Sequence, residues 1–204
     1  MAYRDFTYPE VLTDLRLRLV ERPLFTGLVD AELKPEFIER WLSGVKLASA
    51  INTEKAKSEF IIAPLLLELL FAAVRPFGLF SGIEFNVDAA RGLNGFCDFL
   101  LTASTLQTMV SSPVVAVVEA KNDNLRSGFS QCIASMTAAR EFNAKTGGDP
   151  RVVYGVVTTG AAWKFLSLDG DELLIELSDY YVADLSHIFA VMLKMVSPQT
   201  EPKV

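Results

Sequence analysis

Three charged residues lie where the sequence otherwise predicts buried strands. Asp98 falls inside the apolar run 95–101, and Glu119 and Lys121 end a second apolar run that begins at Pro113. Taking charged groups out of water costs several kcal/mol unless they are paired or hold a metal. Side chains alternate along a strand, so Glu119 and Lys121 project to the same side. This stretch is therefore the first candidate for a functional site.

The two carboxylates suggest a metal site. Asp98 and Glu119 are 21 positions apart on consecutive predicted strands, so we expect the strands to bring them together. Neighbouring carboxylates repel each other, and a divalent cation between them removes the repulsion. Their oxygen ligands suit Mg²⁺ or Mn²⁺, which keep several waters and bind a substrate phosphate. Such a metal activates water at a phosphodiester, where Lys121 would stabilise the developing charge or help position the water.

The acid-x-Lys triplet alone carries little information. The chain has three such triplets, and those at 32–34 and 201–203 lie in ordinary surface context. What distinguishes Glu119 is its place at the end of a fully apolar strand. The context of Glu119 and the nearby Asp98, and not the triplet, therefore mark this stretch as a candidate site.

Asp98 followed by Glu119-x-Lys121 resembles the motif of the PD-(D/E)xK nuclease superfamily, which has a restriction-endonuclease-like fold. The closer resemblance is to the N-terminal nuclease domain of type I restriction-enzyme motor subunits and their stand-alone relatives. Four further segments, in the same order, are similar to that family: Glu59 with Pro64-Leu65-Leu66, the Gly-x-x-Asp-aromatic stretch 95–99, the Gly-x-x-Gln stretch 128–131, and 157–160 with Trp163. The resemblance covers roughly 58–168, and Thr159 replaces the family's usual Asn.

The resemblance implies a metal-dependent nuclease that hydrolyses phosphodiester bonds in DNA. It implies that Asp98, Glu119 and the Ala120 carbonyl hold Mg²⁺ or Mn²⁺. Lys121 would be catalytic, Glu59 would approach from the first helix, and Gln131 would contact the attacking water or the DNA backbone. DNA is the expected partner. A homodimer, and a protein partner supplying targeting or motor function, are left open.

Other interpretations remain open. The same fold could serve as a catalytically inactive binding or assembly module, which the net charge of −6 and the lack of Lys/Arg runs favour. Asp98 and Lys121 could form a buried ion pair in an ordinary sheet. Glu59 could be an acid favoured by a helix dipole, and Gln131 could face solvent. A small-molecule enzyme of another α/β type has no nucleotide loop or nucleophile motif to support it.

The elements that must position these residues follow from hydrophobic periodicity and turn signals. We expect an α/β fold: a restriction-endonuclease-like mixed sheet flanked by helices, in a single domain over 1–204. The domain divides into a helical N-terminal extension (1–50), a nuclease-like core (52–180) and a C-terminal helix (182–196). Predicted helices cover 8–20, 36–50, 52–70 with a kink or restart at Pro64, and 125–145. Predicted strands cover 83–87, 95–103, 114–119, 152–159, 163–168 and 172–177.

Composition and cysteine use set the remaining expectations. The only cysteines, Cys97 and Cys132, lie in separate apolar elements, which favours a reducing cytoplasmic compartment over a disulfide framework. The longest apolar segment, 61–74, is shorter than the roughly 20 residues that a membrane span needs. A single histidine, His187, is expected to be structural and leaves little material for a zinc site. We also expect a turn at 146–150 and a loose tail over 197–204.

Overall fold

The computed structural model describes residues 1–147 and 152–197, which form a mixed sheet with helices on both faces. The strands are β1 (Arg18–Glu21), β2 (Gly78–Glu84), β3 (Phe96–Thr102), β4 (Val114–Ala120), β5 (Val152–Thr158), β6 (Ala162–Asp169), β7 (Glu172–Ile175) and β8 (Tyr180–Tyr181). The α-helices are α1 (Glu10–Asp14), α2 (Pro35–Ile51), α3 (Glu54–Lys57), α4 (Ala63–Ala72), α5 (Arg126–Thr146) and α6 (Leu185–Val196). The α/β class is confirmed.

The sheet combines an antiparallel part and a parallel crossover. Its order is β1-β7-β6-β5-β4-β3-β2, and β8 pairs with β6. β2, β3 and β4 form an antiparallel meander, whereas β4 and β5 are parallel. The chain passes from β4 to β5 through α5, as a parallel pair requires. Consequently the chain leaves the end of β4 directly toward the first turn of α5.

β4 lies at the centre of the molecule, with every residue buried. Its apolar, largely β-branched sequence suits a strand covered on both faces. One face packs against the core cluster that includes α2, α4 and α6, and the other packs against α5. Glu119 interrupts this apolar environment near the end of the strand.

α5 lies unusually close to the sheet. A Cβ on Gly155 of β5 would fall 2.4 Å from Met136 Sδ and 2.9 Å from Cys132 Sγ. A Cβ on Gly128 of α5 would fall 2.5 Å from Val157 Cγ1. Both contacts are too short for any side chain, so the two glycines permit the approach. The helix predicted over 125–145 therefore lies close against the sheet, with its glycine and other small residues at the contact.

The predicted helix over 52–70 is divided into three pieces. α3 ends at Lys57, a π-helical segment covers Ser58–Ile62, and α4 begins at Ala63. Pro64 lies in the first turn of α4, where its missing N–H costs no hydrogen bond. The backbone dihedrals stay helical across both junctions, so the kink or restart predicted at this proline takes the form of a π-helical segment before it and not of a break.

The N-terminal segment differs most from expectation. The helix predicted over 8–20 is only the five-residue α1, and Arg18–Glu21 forms the edge strand β1, parallel to β7. Between them Arg16 adopts a positive φ of 55°, which turns the chain out of the helix. Pairing with β7 thus outweighs the local helical periodicity, and the extension over 1–50 is not wholly helical.

Most other predicted elements lie close to their expected positions. The bounds of the strand predicted at 83–87 were wrong, because β2 runs from Gly78 to Glu84 and shares only residues 83 and 84 with it. The burial of Phe85 nevertheless preserves the expected alternation. The β6–β7 hairpin turns at Gly170 and Asp171, since Asp169 pairs with Glu172. Within the described ranges, no helix has the length and apolarity needed to cross a lipid bilayer. The expected tail, apart from Ser197, and most of the turn at 146–150 lie outside the described residues.

Candidate active site

Asp98 and Glu119 lie on adjacent antiparallel strands. Phe99 of β3 pairs with Val118 of β4, and the same register brings Asp98 beside Glu119. Asp98 does not pair with Lys121. Instead its Oδ2 accepts a hydrogen bond from the backbone N–H of Ala120 at 2.8 Å. The predicted juxtaposition of the carboxylates is therefore present, and the Asp98–Lys121 ion pair weighed as an alternative is not.

Glu119 is fully buried and only half satisfied. Its Oε1 accepts a hydrogen bond from Lys121 Nζ at 2.7 Å, while Oε2 is buried without an N–H donor. The carboxyl lies within hydrogen-bonding reach of Asp98, which can be its partner only when one of the two acids is protonated. Burial, followed by the charge of Asp98, raises the pKa of the Glu119 carboxyl well above its ordinary value, and Lys121 only partly opposes this. A buried polar atom without a partner costs about 1–3 kcal/mol. The site is thus built around an unsatisfied oxygen.

Lys121 lies at the end of β4 with its ammonium held between two side chains. Nζ contacts Glu119 Oε1 at 2.7 Å and Gln131 Oε1 at 3.3 Å. Burial lowers the pKa of Lys121, but the carboxylates of Glu119, Glu54 and Asp98 outweigh it, and the net pKa lies above its ordinary value. The lysine is therefore a fixed positive charge beside the two acids.

Gly128 and Gln131 position Lys121 from the first turns of α5. A Cβ at Gly128 would lie 3.0 Å from Lys121 Cγ, so the glycine leaves room for the lysine stem. Gln131, one helical turn later, reaches Nζ. The structure therefore brings together four of the predicted site residues: Asp98, Glu119, Lys121 and Gln131.

Glu59 does not join them. It lies in the π-helical segment with its side chain 51% exposed, and forms an ion pair with Lys55 at 2.8 Å. Glu54, at the start of α3, lines the cleft instead and acts on the charge of Lys121. Of the two acids, Glu54 and not Glu59 therefore contributes to the lining of the cleft.

Sequence reasoning missed Glu54, although a local signal was present. Thr53 caps α3, and its hydroxyl accepts a hydrogen bond from the N–H of Ala56 at 3.1 Å. An N-cap threonine marks the residue after it as the first of the helix. Glu54 thus occupies the helix start, whereas Glu59 follows the end of α3.

The carboxylates open into a cleft of about 360 Å³. One wall is the N-terminal segment with Tyr3 and Arg4, and another part of the lining is Phe96 at the start of β3. Tyr3 is anchored by two hydrogen bonds: its hydroxyl donates to the Phe85 carbonyl at 2.6 Å, and its N–H donates to the Asn94 carbonyl at 2.9 Å. The sequence had assigned this segment no role at the site.

A buried lysine holds the loop that follows Lys121. Lys57, the last residue of α3, donates from Nζ to the backbone carbonyl of Asn122 and to Asn122 Oδ1. No sequence signal had singled it out. These contacts tie α3, which carries Glu54, to the segment that carries Lys121, and so fix two walls of the site relative to each other.

The donor set of the site consists of two adjacent carboxylates, with Glu54 across the cleft. Across 1–147 and 152–197, no three His, Cys, Asp or Glu side chains are grouped closely enough to hold a metal ion. His187, expected to be structural, lies away from this cleft on α6, where it contacts Asp30 Oδ1 at 2.8 Å and stacks on Tyr180. Any metal would therefore be held mainly by Asp98 and Glu119.

Comparison with known proteins gives no matching family model and no matching curated protein. What the site does must therefore be argued from its geometry.

Proposed function

We propose that this cleft is the active site of a metal-dependent nuclease with a restriction-endonuclease-like fold, which hydrolyses phosphodiester bonds in DNA. The observation that carries the proposal is the buried pair of acids, in which Glu119 Oε2 has no N–H donor and the Glu119 carboxyl lies within hydrogen-bonding reach of Asp98. A group that costs stability in this way is expected where it has a ligand to bind. The lysine held beside it adds the positive charge that phosphate chemistry needs.

The residues present fit a hard divalent cation. Asp98 and Glu119 supply carboxylate oxygens, and the carbonyl of Ala120 follows at the end of β4, a donor set that suits Mg²⁺ or Mn²⁺. When bound, such an ion supplies an activated water and neutralises charge on the phosphate. The buried position of Glu119 limits competition from bulk water.

Lys121 and Gln131 would bind and orient the substrate phosphate. Lys121 places its ammonium where a phosphate oxygen entering the cleft would meet it, and low local dielectric strengthens that attraction. Gln131 orients the ammonium through its Oε1, which leaves its NH₂ group as a donor for a water or a backbone oxygen. Glu119 keeps the lysine protonated.

The test is a cleavage assay with Mg²⁺ or Mn²⁺ on linear, circular and single-stranded DNA. Asp98→Ala and Lys121→Ala should each lower the rate by at least about 100-fold, the usual effect of removing one charge-stabilising group. Glu59→Ala is the matched control, since Glu59 is exposed outside the cleft. Full activity of Asp98→Ala would remove the assignment.

A binding or assembly module without turnover is the second candidate. It is favoured by the acidity of the cleft, where Asp98, Glu119 and Glu54 face Lys121, itself already paired. Calorimetric titration with Mn²⁺ discriminates between the two. Binding that Asp98→Ala abolishes supports the nuclease, whereas no binding by the folded wild type supports the module.

A further inference from the structure

We propose that Phe96 is a stacking platform for an unpaired base, so that the cleft takes single-stranded DNA. This inference rests on the proposed nuclease function and names the form of its substrate. It starts from an aromatic side chain that the fold leaves in solvent at the mouth of the cleft.

Phe96 is 64% exposed, although it begins a strand of the central sheet. Phe85 and Phe99, its nearest aromatic neighbours in the sequence, are both buried. Among the ring pairs of the described residues, none includes Phe96. The ring therefore has a free face, and packing does not explain its position.

The backbone positions of Phe96 and Asp98 are about one nucleotide step apart. Phe96 and Asp98 are two residues apart on β3, a spacing of about 7 Å along a strand, and both line the cleft. That distance is on the scale of a single nucleotide. A base stacked on Phe96 would therefore leave its own or the adjoining phosphate at Asp98 and Glu119.

The shape of the cleft favours an unpaired nucleotide. Its volume of about 360 Å³ is near the lower limit for small-ligand sites, and Glu119 lies fully buried beneath its rim. In a duplex the base faces are covered by neighbouring base pairs, so none is available to Phe96. An unpaired base exposes its face and can enter without the cost of unstacking.

The net charge of the protein also favours single-stranded over duplex DNA. A net charge of −6 leaves little long-range attraction for the phosphates of a duplex. Stacking on an aromatic ring adds affinity that does not depend on charge. Arg4, with its side chain 84% exposed at the rim and Nε 3.9 Å from Asp5 Oδ1, could exchange this exposed contact for one to a flanking phosphate. One exposed aromatic ring and one exposed cation at the rim, with Lys121 deeper in the cleft, suit a short single strand better than a long duplex.

The binding test uses fluorescein-labelled oligo(dT) and a hairpin duplex, measured by anisotropy with Ca²⁺ in place of Mg²⁺. We expect wild type to prefer the single strand. Phe96→Ala should weaken single-strand binding by about tenfold, the typical loss of one stacked base, and leave duplex binding unchanged. Phe96→Trp should restore it. Phe71→Ala, at a ring 74% exposed on α4, is the matched control and should change neither.

A direct readout comes from Phe96→Trp itself. The natural tryptophans, Trp41 and Trp163, are buried, so the introduced indole supplies the exposed emission. Titration with oligo(dT) should quench it, and the hairpin should not. Unchanged single-strand binding by Phe96→Ala, preference of the wild type for the hairpin, or absence of quenching would each overturn the proposal.

Cleavage in Mg²⁺ separates this inference from the proposed function. If wild type cleaves both DNA forms and Phe96→Ala leaves the ratio of their rates unchanged, the stacking role fails while the nuclease stands. If wild type binds oligo(dT) through Phe96 but cleaves neither form, the nuclease fails while the stacking role stands.

Discussion

At the scale of single residues, the site contains two neighbouring acids whose hydrogen-bonding capacity the protein satisfies only in part. Lys121 compensates one oxygen of Glu119, Asp98 uses an oxygen on the N–H of Ala120, and the second Glu119 oxygen has no N–H donor. An ordinary buried ion-pair network would satisfy all of these groups. The remaining imbalance is the support for the cation that we propose here.

The first prediction concerns the two helix acids. Glu54→Gln should weaken Mn²⁺ binding several-fold, because it removes a nearby negative charge from the cleft. Glu59→Gln should leave Mn²⁺ binding unchanged, because Glu59 is paired with Lys55 in solvent. Isothermal titration of both variants tests this, with circular dichroism to verify folding. The reverse order of effects would show that the cleft is wrongly assigned.

The second prediction concerns the thiols. Burial raises the pKa of Cys97 to about 12 and that of Cys132 well above its usual value. Because the thiolate is the reactive form, neither thiol should react with iodoacetamide at pH 8 in the native protein. Both should be alkylated after unfolding in guanidinium, as counted by mass spectrometry. Rapid native labelling would mean that the α5–sheet packing opens easily.

At the scale of elements, α5 is what brings Lys121 to its place. Its small residues and Gly155 let the helix lie against β5, and Gly128 leaves room for the lysine stem. The sequence predicted β3, β4 and α5 well, because apolar runs and turn signals act locally there. It failed at β1, because strand pairing with the distant β7 decided the conformation.

The third prediction tests this helix placement. Gly128→Ala should lower the free energy of unfolding by about 1–3 kcal/mol, the usual cost of overpacking, because the new methyl overlaps Val157 and presses on Lys121. It should also lower nuclease activity. Lys145→Ala, on the exposed end of α5, is the control. Urea denaturation measures stability, and an unchanged midpoint for Gly128→Ala would contradict the packing described.

At the scale of the whole molecule, the cleft is assembled from distant parts of the chain. The N-terminal segment forms one wall, α3 another, and the edges of β3 and β4 the floor. Lys57 and Tyr3 hold these parts together through hydrogen bonds to Asn122 and to the Phe85 and Asn94 backbone. A ligand bound there should therefore stabilise the entire fold.

The fourth prediction follows from that coupling. At a Mn²⁺ concentration of about 100 times Kd, binding to the native state alone adds about 2.7 kcal/mol. For a domain of this size we expect Tm to rise by about 5–10 °C. Asp98→Ala should show no rise, and Glu59→Ala should show the full rise. A scan in Ca²⁺ and in EDTA completes the comparison, and equal shifts in wild type and Asp98→Ala would place the metal elsewhere.

The sequence by itself determined the α/β class and the meeting of Asp98, Glu119 and Lys121. These follow from local rules: apolar runs form strands, alternation sets their faces, and short connections keep consecutive strands adjacent. The place of Gln131 was implied only by the resemblance to the nuclease family. Only the tertiary structure decided that Glu54 rather than Glu59 faces the cleft, that the N-terminal segment walls it, and that Phe96 stands free at its mouth. Those outcomes depend on packing between segments that are far apart in the chain. Local sequence patterns do not predict such packing.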